Sequence, residues 1–255
     1  MVDKMKNGEL VLLLSKENSY IVEIKNDKFN TQQGIINLAE LKKKTFGDEI
    51  KTHLNKKFKI AKPSIEEILF RKIKRGPQVI LPKDMGLILA FTGVGPGDMV
   101  VDAGTGTGFL AIFLAHYVKP GIVTTYEKDK RFIKKIKENL KNSGLDKFIK
   151  LKQKDVSKGL NEKNVDLITL DFKGSDKIIN KAYNSLKLGG WLVVYSPTVD
   201  ELMKAVSVLR KSKFANVKTV ENIVREWQIE RTVRPKTMGL MHSGFLTFAR
   251  KIAIC

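Results

Sequence analysis

The order of sequence patterns predicts an α/β fold, a parallel sheet covered by helices, preceded by a small β-rich domain. Three observations carry this prediction. Short strand-like runs separated by turn residues fill the first part of the chain. An amphipathic helix pattern follows them, and strand-like and helical patterns then alternate to the end. A sheet of this kind binds ligands at the carboxyl ends of its strands.

The β-rich part comes first. Strand patterns at Glu9–Leu14 and Tyr20–Ile24 are separated from their neighbours by turn formers. From Pro63 apolar residues recur at helical spacing, and Arg75-Gly76-Pro77 ends that helix. The predicted division is therefore a β-rich domain at 1–62, a helical linker at 63–77 and a second domain at 78–255.

The second domain alternates strands with helices. Its predicted strands are short apolar runs, and its predicted helices place apolar residues three and four positions apart. In chain order we predict strands at Met99–Asp102, Ile122–Glu127, Ile149–Asp155, Val165–Asp171, Trp191–Ser196, Val217–Ile223 and Phe245–Ile254, and helices at Leu110–Tyr117, Arg131–Asn142, Lys177–Leu186 and Val199–Lys211.

Composition indicates a basic protein with a polyanionic partner. The 255 residues include 47 Lys and Arg against 27 Asp and Glu, a formal net charge of +20. Nucleic acid is the commonest polyanion in cells, although a lysine-rich solvated surface is the alternative.

Cysteine, histidine and apolar content narrow the class of protein further. The single cysteine, Cys255, excludes an internal disulfide and favours a reducing compartment. The three histidines are far apart in sequence, so no metal site is expected. The longest early apolar run, Leu10–Leu14, is too short for a signal peptide or a membrane span. We expect a cytoplasmic protein.

A glycine-rich turn follows the first strand of the second domain. Asp102-Ala103-Gly104-Thr105-Gly106-Thr107-Gly108 leads into the helix pattern, and glycines let backbone amides approach a ligand, although a simple turn is the alternative. Glu127 ends the next strand, where a carboxylate can accept hydrogen bonds from ribose hydroxyls. Asp155 ends the third strand, within reach of an adenine edge, although both acids could instead cap turns. The GxGxG spacing lacks the full dinucleotide fingerprint, so S-adenosylmethionine fits better than NAD.

From Arg75 to Arg250 the chain resembles the tRNA (adenine-N1)-methyltransferase family. The most particular matching segments are Pro82-Lys83-Asp84 before the glycine loop and His242-Ser243-Gly244-Phe245-Leu246 near the C-terminus. The other matching stretches are Arg75–Leu81, Asp102–Gly108, Thr125–Glu127, Leu170-Asp171, Leu188–Gly190, Val194–Thr198 and Val233–Pro235.

The resemblance implies a fold, a reaction and a set of residues. The fold is the Rossmann-like domain of class I S-adenosylmethionine-dependent methyltransferases, and the reaction is methylation of N1 of a tRNA T-loop adenosine, at position 58 or at 57 and 58. Family members form homotetramers. Asp171 is implied as the catalytic carboxylate, and Tyr195 as a residue lining the same pocket. The implied cofactor contacts are Gln78, Gly104, Gly106, Thr107, Gly108, Phe109, Leu110, Glu127, Asp155 and Val156.

This sequence departs from the family on the target-base side. The family usually has prolines shortly after the catalytic aspartate, but here Asp171 is followed by Phe172-Lys173-Gly174-Ser175-Asp176. The family often has an aromatic residue or histidine before the Pro-Lys-Asp segment, where this chain has Leu81. The loop is then either more flexible or shaped by Gly174, with Asp171 still catalytic. The alternatives are a non-catalytic tRNA-binding subunit, or another acceptor such as protein isoaspartate or a small molecule.

Overall fold

The structure is a computed structural model, and it describes residues 4–76, 78–229, 231–237, 239 and 242–253. The chain divides into two compact units. The first comprises Met1–Ile73 with Lys141–Gly144, and the second comprises Lys74–Leu140 with Leu145–Cys255.

The described part of the first unit contains six short strands. Strands β1, β2, β5 and β6 form an antiparallel sheet in the order β2-β1-β6-β5, and β3 and β4 form a separate antiparallel pair. Apolar side chains from these strands, among them Val11, Leu13 and Phe58, form one buried cluster. The bounds are β1 Leu10–Leu14, β2 Ser19–Glu23, β3 Lys28–Thr31, β4 Gly34–Asn37, β5 Glu49–Lys51 and β6 Lys57–Ala61.

Helix α1 (Ile65–Arg71) confirms the predicted amphipathic helix after Pro63. Ser64 and Glu67 form a capping box in which each side chain accepts a hydrogen bond from the other residue's backbone N–H. Ile65, Ile68 and Leu69 are its buried residues. The helix belongs to the first unit, which runs to Ile73.

In its described residues the second unit contains a seven-stranded sheet, five more helices and a two-stranded hairpin. Its helices are α2 Pro82–Thr92, α3 Phe109–Val118, α4 Lys130–Ser143, whose last residues belong to the first unit, α5 Ile179–Ser185 and α6 Val199–Arg210. Its strands are β7 Met99–Ala103, β8 Ile122–Glu127, β9 Ile149–Gln153, β10 Val165–Leu170, β11 Leu186–Ser196, β12 Phe214–Glu221, β13 Trp227–Ile229, β14 Val233–Pro235 and β15 Phe245–Lys251.

The large sheet has the strand order β12-β15-β11-β10-β7-β8-β9. Strands β7 to β11 are parallel, as the alternating pattern predicts. Strand β15, however, runs antiparallel to both β11 and β12. Among the described strands of this sheet, β15 alone departs from the predicted parallel arrangement, because the antiparallel hairpin β13–β14, and no crossover helix, lies in the described part of the connection from β12 to β15.

The two faces of this sheet are covered by different helices. Ile179 and Ala182 of α5, and Ala205 and Leu209 of α6, join one buried cluster with alternate residues of the central strands. Helix α3 contacts β7 and β8, and none of its buried residues belongs to that cluster, so α3 lies on the opposite face. None of the helices in the described ranges combines the length and apolar composition needed to span a lipid bilayer.

Candidate functional site

The glycine loop joins the carboxyl end of β7 to the first turn of α3. The N–H groups of Gly104 and Thr105 both donate to the carbonyl of Tyr126, and Gly108 N–H donates to the carbonyl of Thr105 at 2.7 Å. Gly108 has a φ of +84° and is the residue from which α3 starts. Gly106 is exposed. The loop therefore offers free space and helix N-terminal amides at the edge where ligands of parallel sheets bind.

Gly104 is the position where the loop backbone touches the backbone of a second predicted site residue. Its φ is +103°, and a Cβ placed on it would lie 2.0 Å from the carbonyl oxygen of Asp171. The Asp171 N–H donates to the carbonyl of Ala103 at 2.8 Å. The glycine loop and the predicted catalytic residue are thus in direct contact, and only glycine fits between them.

Asp102, the last acid before the loop, is 1% exposed and held by threonines. Thr125 Oγ1 and Thr169 Oγ1 donate to its two oxygens, each at 2.8 Å. Thr105 Oγ1 lies 2.6 Å from Thr125 Oγ1 and extends the network into the glycine loop. Burial raises the pKa of Asp102 to about 6, and the two threonine hydrogen bonds oppose that rise.

Glu127 and Asp155 lie at the same edge of the sheet. Glu127 is the last residue of β8 and pairs with Gln153, the last residue of β9, so Asp155 follows two residues later. Glu127 Oε1 accepts from the N–H of Asp129, and Asp155 Oδ1 accepts from the N–H of Ser157, each at 2.9 Å. Hydrogen bonds from Ser157 lower the pKa of Asp155. Both acids therefore do cap turns, and the second Glu127 oxygen has no donor among the described residues.

The side chains of the other predicted cofactor residues differ in their exposure to solvent. Phe109 and Leu110 are 2% and 6% exposed and pack into the core, and Val156 is buried as well. Gln78 is exposed. Thr107 Oγ1 is buried without a hydrogen-bond partner in the described part of the chain. Buried hydroxyls normally have a hydrogen-bond partner, so a bound ligand could form a hydrogen bond with Thr107 Oγ1.

Asn139, which the sequence analysis missed, ties the glycine loop to the segment before α2. It lies in α4 and is fully buried. Its Nδ2 donates to the carbonyls of Lys74 at 3.0 Å and Thr107 at 2.9 Å, and its Oδ1 accepts from the N–H of Lys74 at 3.0 Å. The sequence does contain a signal for this role, because Asn139 is a polar residue on the apolar face of an otherwise charged helix.

Asp171 and Tyr195 are neighbours on adjacent strands. Leu170 of β10 lies opposite Val194 of β11 in a parallel pair, so Asp171 and Tyr195 are the next residues on the two strands and face the same side of the sheet. Burial raises the pKa of Asp171 to about 7, and the Asp102 and Glu201 carboxylates add to the rise. Burial and the Asp171 carboxylate likewise raise the pKa of Tyr195 to about 12. The two predicted target-base residues therefore form one partly buried, acidic site.

The proline-less loop after Asp171 is ordered by Gly174. This residue has a φ of +87° and precedes a short 3₁₀ helix, Ser175–Ile178, that continues into α5. Ser175 N–H donates to the carbonyl of Phe172 at 3.2 Å, which closes the turn. Of the two expectations for this loop, the structure shows the one in which Gly174 shapes it.

Comparisons with known proteins agree with this geometry. A family model described as the tRNA methyltransferase complex GCD14 subunit matches residues 65–243. The chain belongs to this family. A curated relative, the tRNA (adenine(57)-N(1)/adenine(58)-N(1))-methyltransferase TrmI of Methanocaldococcus jannaschii, is 32% identical over 268 residues, which cover 94% of each chain.

Two solved structures resemble this member of the GCD14 family along almost its whole length. A S-adenosylmethionine-dependent O-methyltransferase from Thermotoga maritima is 32% identical with a TM-score of 0.80, covering 99% of this chain and 96% of its own. The tRNA (m1A58) methyltransferase TrmI of Aquifex aeolicus is 25% identical with a TM-score of 0.76, and the match covers 99% of this chain and 100% of the Aquifex chain. The predicted family and the predicted class I methyltransferase fold are confirmed.

The contact between Gly104 and Asp171 predicts that one methyl group added at Gly104 strongly lowers the stability of the fold. Gly104→Ala should lower the free energy of unfolding by about 2–4 kcal/mol, because the Cβ would overlap the Asp171 carbonyl and displace the backbone. Gly106→Ala is the matched control: its φ is +57°, its nearest contact is 3.9 Å away, and it should cost only about 1 kcal/mol. Urea unfolding checks both, and equal losses would contradict the close contact.

Asn139 predicts a link between α4 and the cofactor loop. Asn139→Leu should lower the free energy of unfolding by about 2–4 kcal/mol, because the backbone N–H and carbonyl of Lys74 and the carbonyl of Thr107 lose their side-chain partner. It should also weaken S-adenosylmethionine binding, measured by calorimetry. Asn142→Ala, an exposed change on the same helix, should alter neither quantity. Unchanged cofactor affinity in a folded Asn139→Leu variant would count against the link.

Proposed function

We propose that this protein transfers a methyl group from S-adenosylmethionine to N1 of an adenosine in the tRNA T-loop. The observation that carries the proposal is the position of Asp171 next to Tyr195, each one residue beyond the Leu170–Val194 pair, directly beside the glycine loop. Membership of the GCD14 family and likeness to two TrmI proteins support tRNA as the acceptor. The net charge of +20 suits a partner made of phosphates.

The cofactor would lie along the carboxyl edge of β7, β8 and β9. S-adenosylmethionine supplies an electrophilic methyl group on a sulfonium. Glu127 would accept from the ribose hydroxyls, and Asp155 with Val156 would border the adenine. The loop glycines Gly104, Gly106 and Gly108 would leave room for the ligand, and Thr107 Oγ1 would gain the partner it lacks.

Phe109 and Leu110 would act through their backbone rather than through their side chains. Both side chains are buried in the core, and their N–H groups belong to the first turn of α3, the end of a helix that favours a negatively charged or polar ligand. Gln78 would cover the methionine end from the segment that follows the Asn139 contact.

Asp171 would stabilise the charge that develops on the target base. N1 of adenine carries an available lone pair, so the reaction needs alignment more than a strong base. As the bond to carbon forms, positive charge spreads to the exocyclic amine, and a carboxylate accepting from that amine lowers the barrier. N1 is on the pairing edge, so the base must first leave its partner and enter the site.

The homotetramer and the cytoplasmic location stay predictions. The described surface that best suits a contact between copies is the β13–β14 hairpin. There Trp227, Ile229 and Val233 are 54%, 77% and 73% exposed, an unusual group of apolar side chains for a free surface.

A methyl-transfer assay tests the proposed function. Labelled methyl from S-adenosylmethionine should enter an unmodified tRNA transcript as N1-methyladenosine, identified by mass spectrometry of the nucleosides. Control transcripts replace the adenosine at position 57, at 58 or at both, and label should disappear with the modified position.

Three results would contradict the proposal. Label that persists in the double control, or label on an oxygen, would indicate another acceptor, as the name O-methyltransferase indicates for the Thermotoga protein. No transfer despite binding of cofactor and tRNA would indicate a non-catalytic subunit.

The raised pKa of Asp171 predicts the pH dependence of catalysis. The carboxylate must be ionised to stabilise positive charge, so the single-turnover rate should rise with pH and level off above an inflection near 7. Asp171→Asn should lower the rate by about 100-fold or more and remove that inflection. A wild-type rate that does not change between pH 6 and 8 would remove Asp171 from this role.

Asp171→Asn should lower the methyl-transfer rate but raise thermal stability. This difference distinguishes loss of the carboxylate charge from misfolding of the variant. Because the folded-state pKa of Asp171 lies above its unfolded value, its contribution to stability is present at low pH and is lost as pH rises through about 7. Asp171→Asn should therefore raise Tm relative to wild type at pH 8, by roughly 2–4 °C for each kcal/mol gained, and less at pH 5. Thermal unfolding at both pH values measures this.

A further inference from the structure

An ion pair that is largely shielded from solvent lies in the first turn of α2. Lys83 and Asp84 side chains are 12% and 1% exposed, and Lys83 Nζ lies 2.8 Å from Oδ1 and 3.0 Å from Oδ2 of Asp84. Removing two charges from water costs more free energy than their mutual attraction provides, unless further hydrogen bonds stabilise both groups. The pair therefore needs partners beyond itself.

Those partners come from the last third of the chain. Lys83 Nζ donates to Ser243 Oγ at 2.7 Å and to the carbonyl of Asn222. Ser243 Oγ donates to Asp84 Oδ2 at 2.8 Å, and Asn222 Nδ2 donates to the carbonyl of Lys83 at 2.7 Å. All three protons of the ammonium are used. The pair thus joins the start of α2 to the segments after β12 and before β15.

The same segment before β15 holds Tyr195. The Tyr195 hydroxyl donates to the carbonyl of Ser243. Gly244, with a φ of +155°, lies so close to the ring that a Cβ there would be 2.5 Å from Tyr195 Cζ. Tyr195 is consequently fixed at its hydroxyl by Ser243 and at its ring by Gly244.

A second contact anchors this segment at the surface. His242 Nδ1 lies 2.5 Å from Glu221 Oε1, and His242 Nε2 lies 3.0 Å from the carbonyl of Pro197. Both partners are acceptors, so the ring donates from both nitrogens in its protonated form. This geometry makes His242 a structural hydrogen-bonding residue.

We propose that Lys83, Asp84 and Ser243 are positioning residues that hold Tyr195 in place beside Asp171, so that Tyr195 forms a wall of the target-base site and is not a proton donor to the substrate. The proposal rests on the proposed function, because the site it describes is the one for the adenine. It assigns a role to the two segments, Pro82–Asp84 and His242–Leu246, that distinguish this family from other class I methyltransferases. The hydroxyl proton of Tyr195 is already donated to Ser243, and burial keeps the phenol protonated.

The test removes one hydroxyl from this network. Ser243→Ala should lower the single-turnover methyl-transfer rate about 10- to 100-fold, because a misplaced wall disturbs alignment, while the Kd values for S-adenosylmethionine and tRNA change less than about twofold. Ser243→Thr keeps the hydroxyl and should recover most of the rate. Thr219→Val is the matched control: it removes a hydroxyl that pairs with Thr247 on the neighbouring strand, and should leave the rate unchanged.

A double-mutant cycle separates positioning from general damage. Tyr195→Phe cuts the same connection, so Ser243→Ala combined with Tyr195→Phe should be no slower than the slower single variant. Losses that multiply would show that the two hydroxyls act independently and would overturn the proposal. A folded Ser243→Ala variant with the wild-type rate would overturn it as well.

Hydrogen exchange gives a readout that does not depend on activity. Peptides covering Val193–Thr198 and His242–Leu246 should exchange faster in Ser243→Ala than in wild type, while Met99–Ala103 should not change. Equal exchange in the first two peptides would refute the positioning network even if the wild-type protein failed to methylate tRNA. A wild-type protein that is inactive on tRNA but shows the expected exchange would contradict only the proposed function.

Discussion

The site depends on the parallel pairing of β7 with β10. This register places Ala103 beside Leu170, so that the glycine loop and Asp171 leave the sheet at the same point and in contact. The next strand pair, β10 with β11, sets Tyr195 beside Asp171 in the same way. Backbone hydrogen bonds thus position the glycine loop, the Asp171 carboxylate and the Tyr195 ring. A shift of one residue in the strand register would turn Asp171 to the other face of the sheet.

Two buried carboxylates, Asp84 and Asp102, and the partly buried carboxylate of Asp171 have different partners. Asp84 is paired with Lys83 and Ser243, and Asp102 accepts from two threonines. For Asp171 the described residues provide no donor to the carboxylate, and two other acids raise its pKa. A group that costs stability without a partner in the free protein is typical of a functional site, because a ligand can provide the missing contact.

Most of the fold followed from the sequence because hydrophobic periodicity is a local property. Strand β8 was predicted to the residue, and α3, α4 and α6 to within about one residue at each end. Helix α2 was not predicted: it starts at Pro82, has Gly86 in its interior and lacks a side-chain cap at Leu81. The predicted helix at Lys177–Leu186 is a 3₁₀ turn followed by the shorter α5, and β11 begins five residues earlier than predicted.

By itself the sequence determined the fold class, the family and the acids at strand ends that meet at one edge of the sheet, because those signals are motifs and periods within short segments. Only the tertiary structure decided which distant segments meet. The direction of β15, the clamp of Asn139 on Thr107, and the network from Lys83 through Ser243 to Tyr195 join residues separated by 32 to 160 positions. Such contacts depend on how elements pack, and no local pattern reports them.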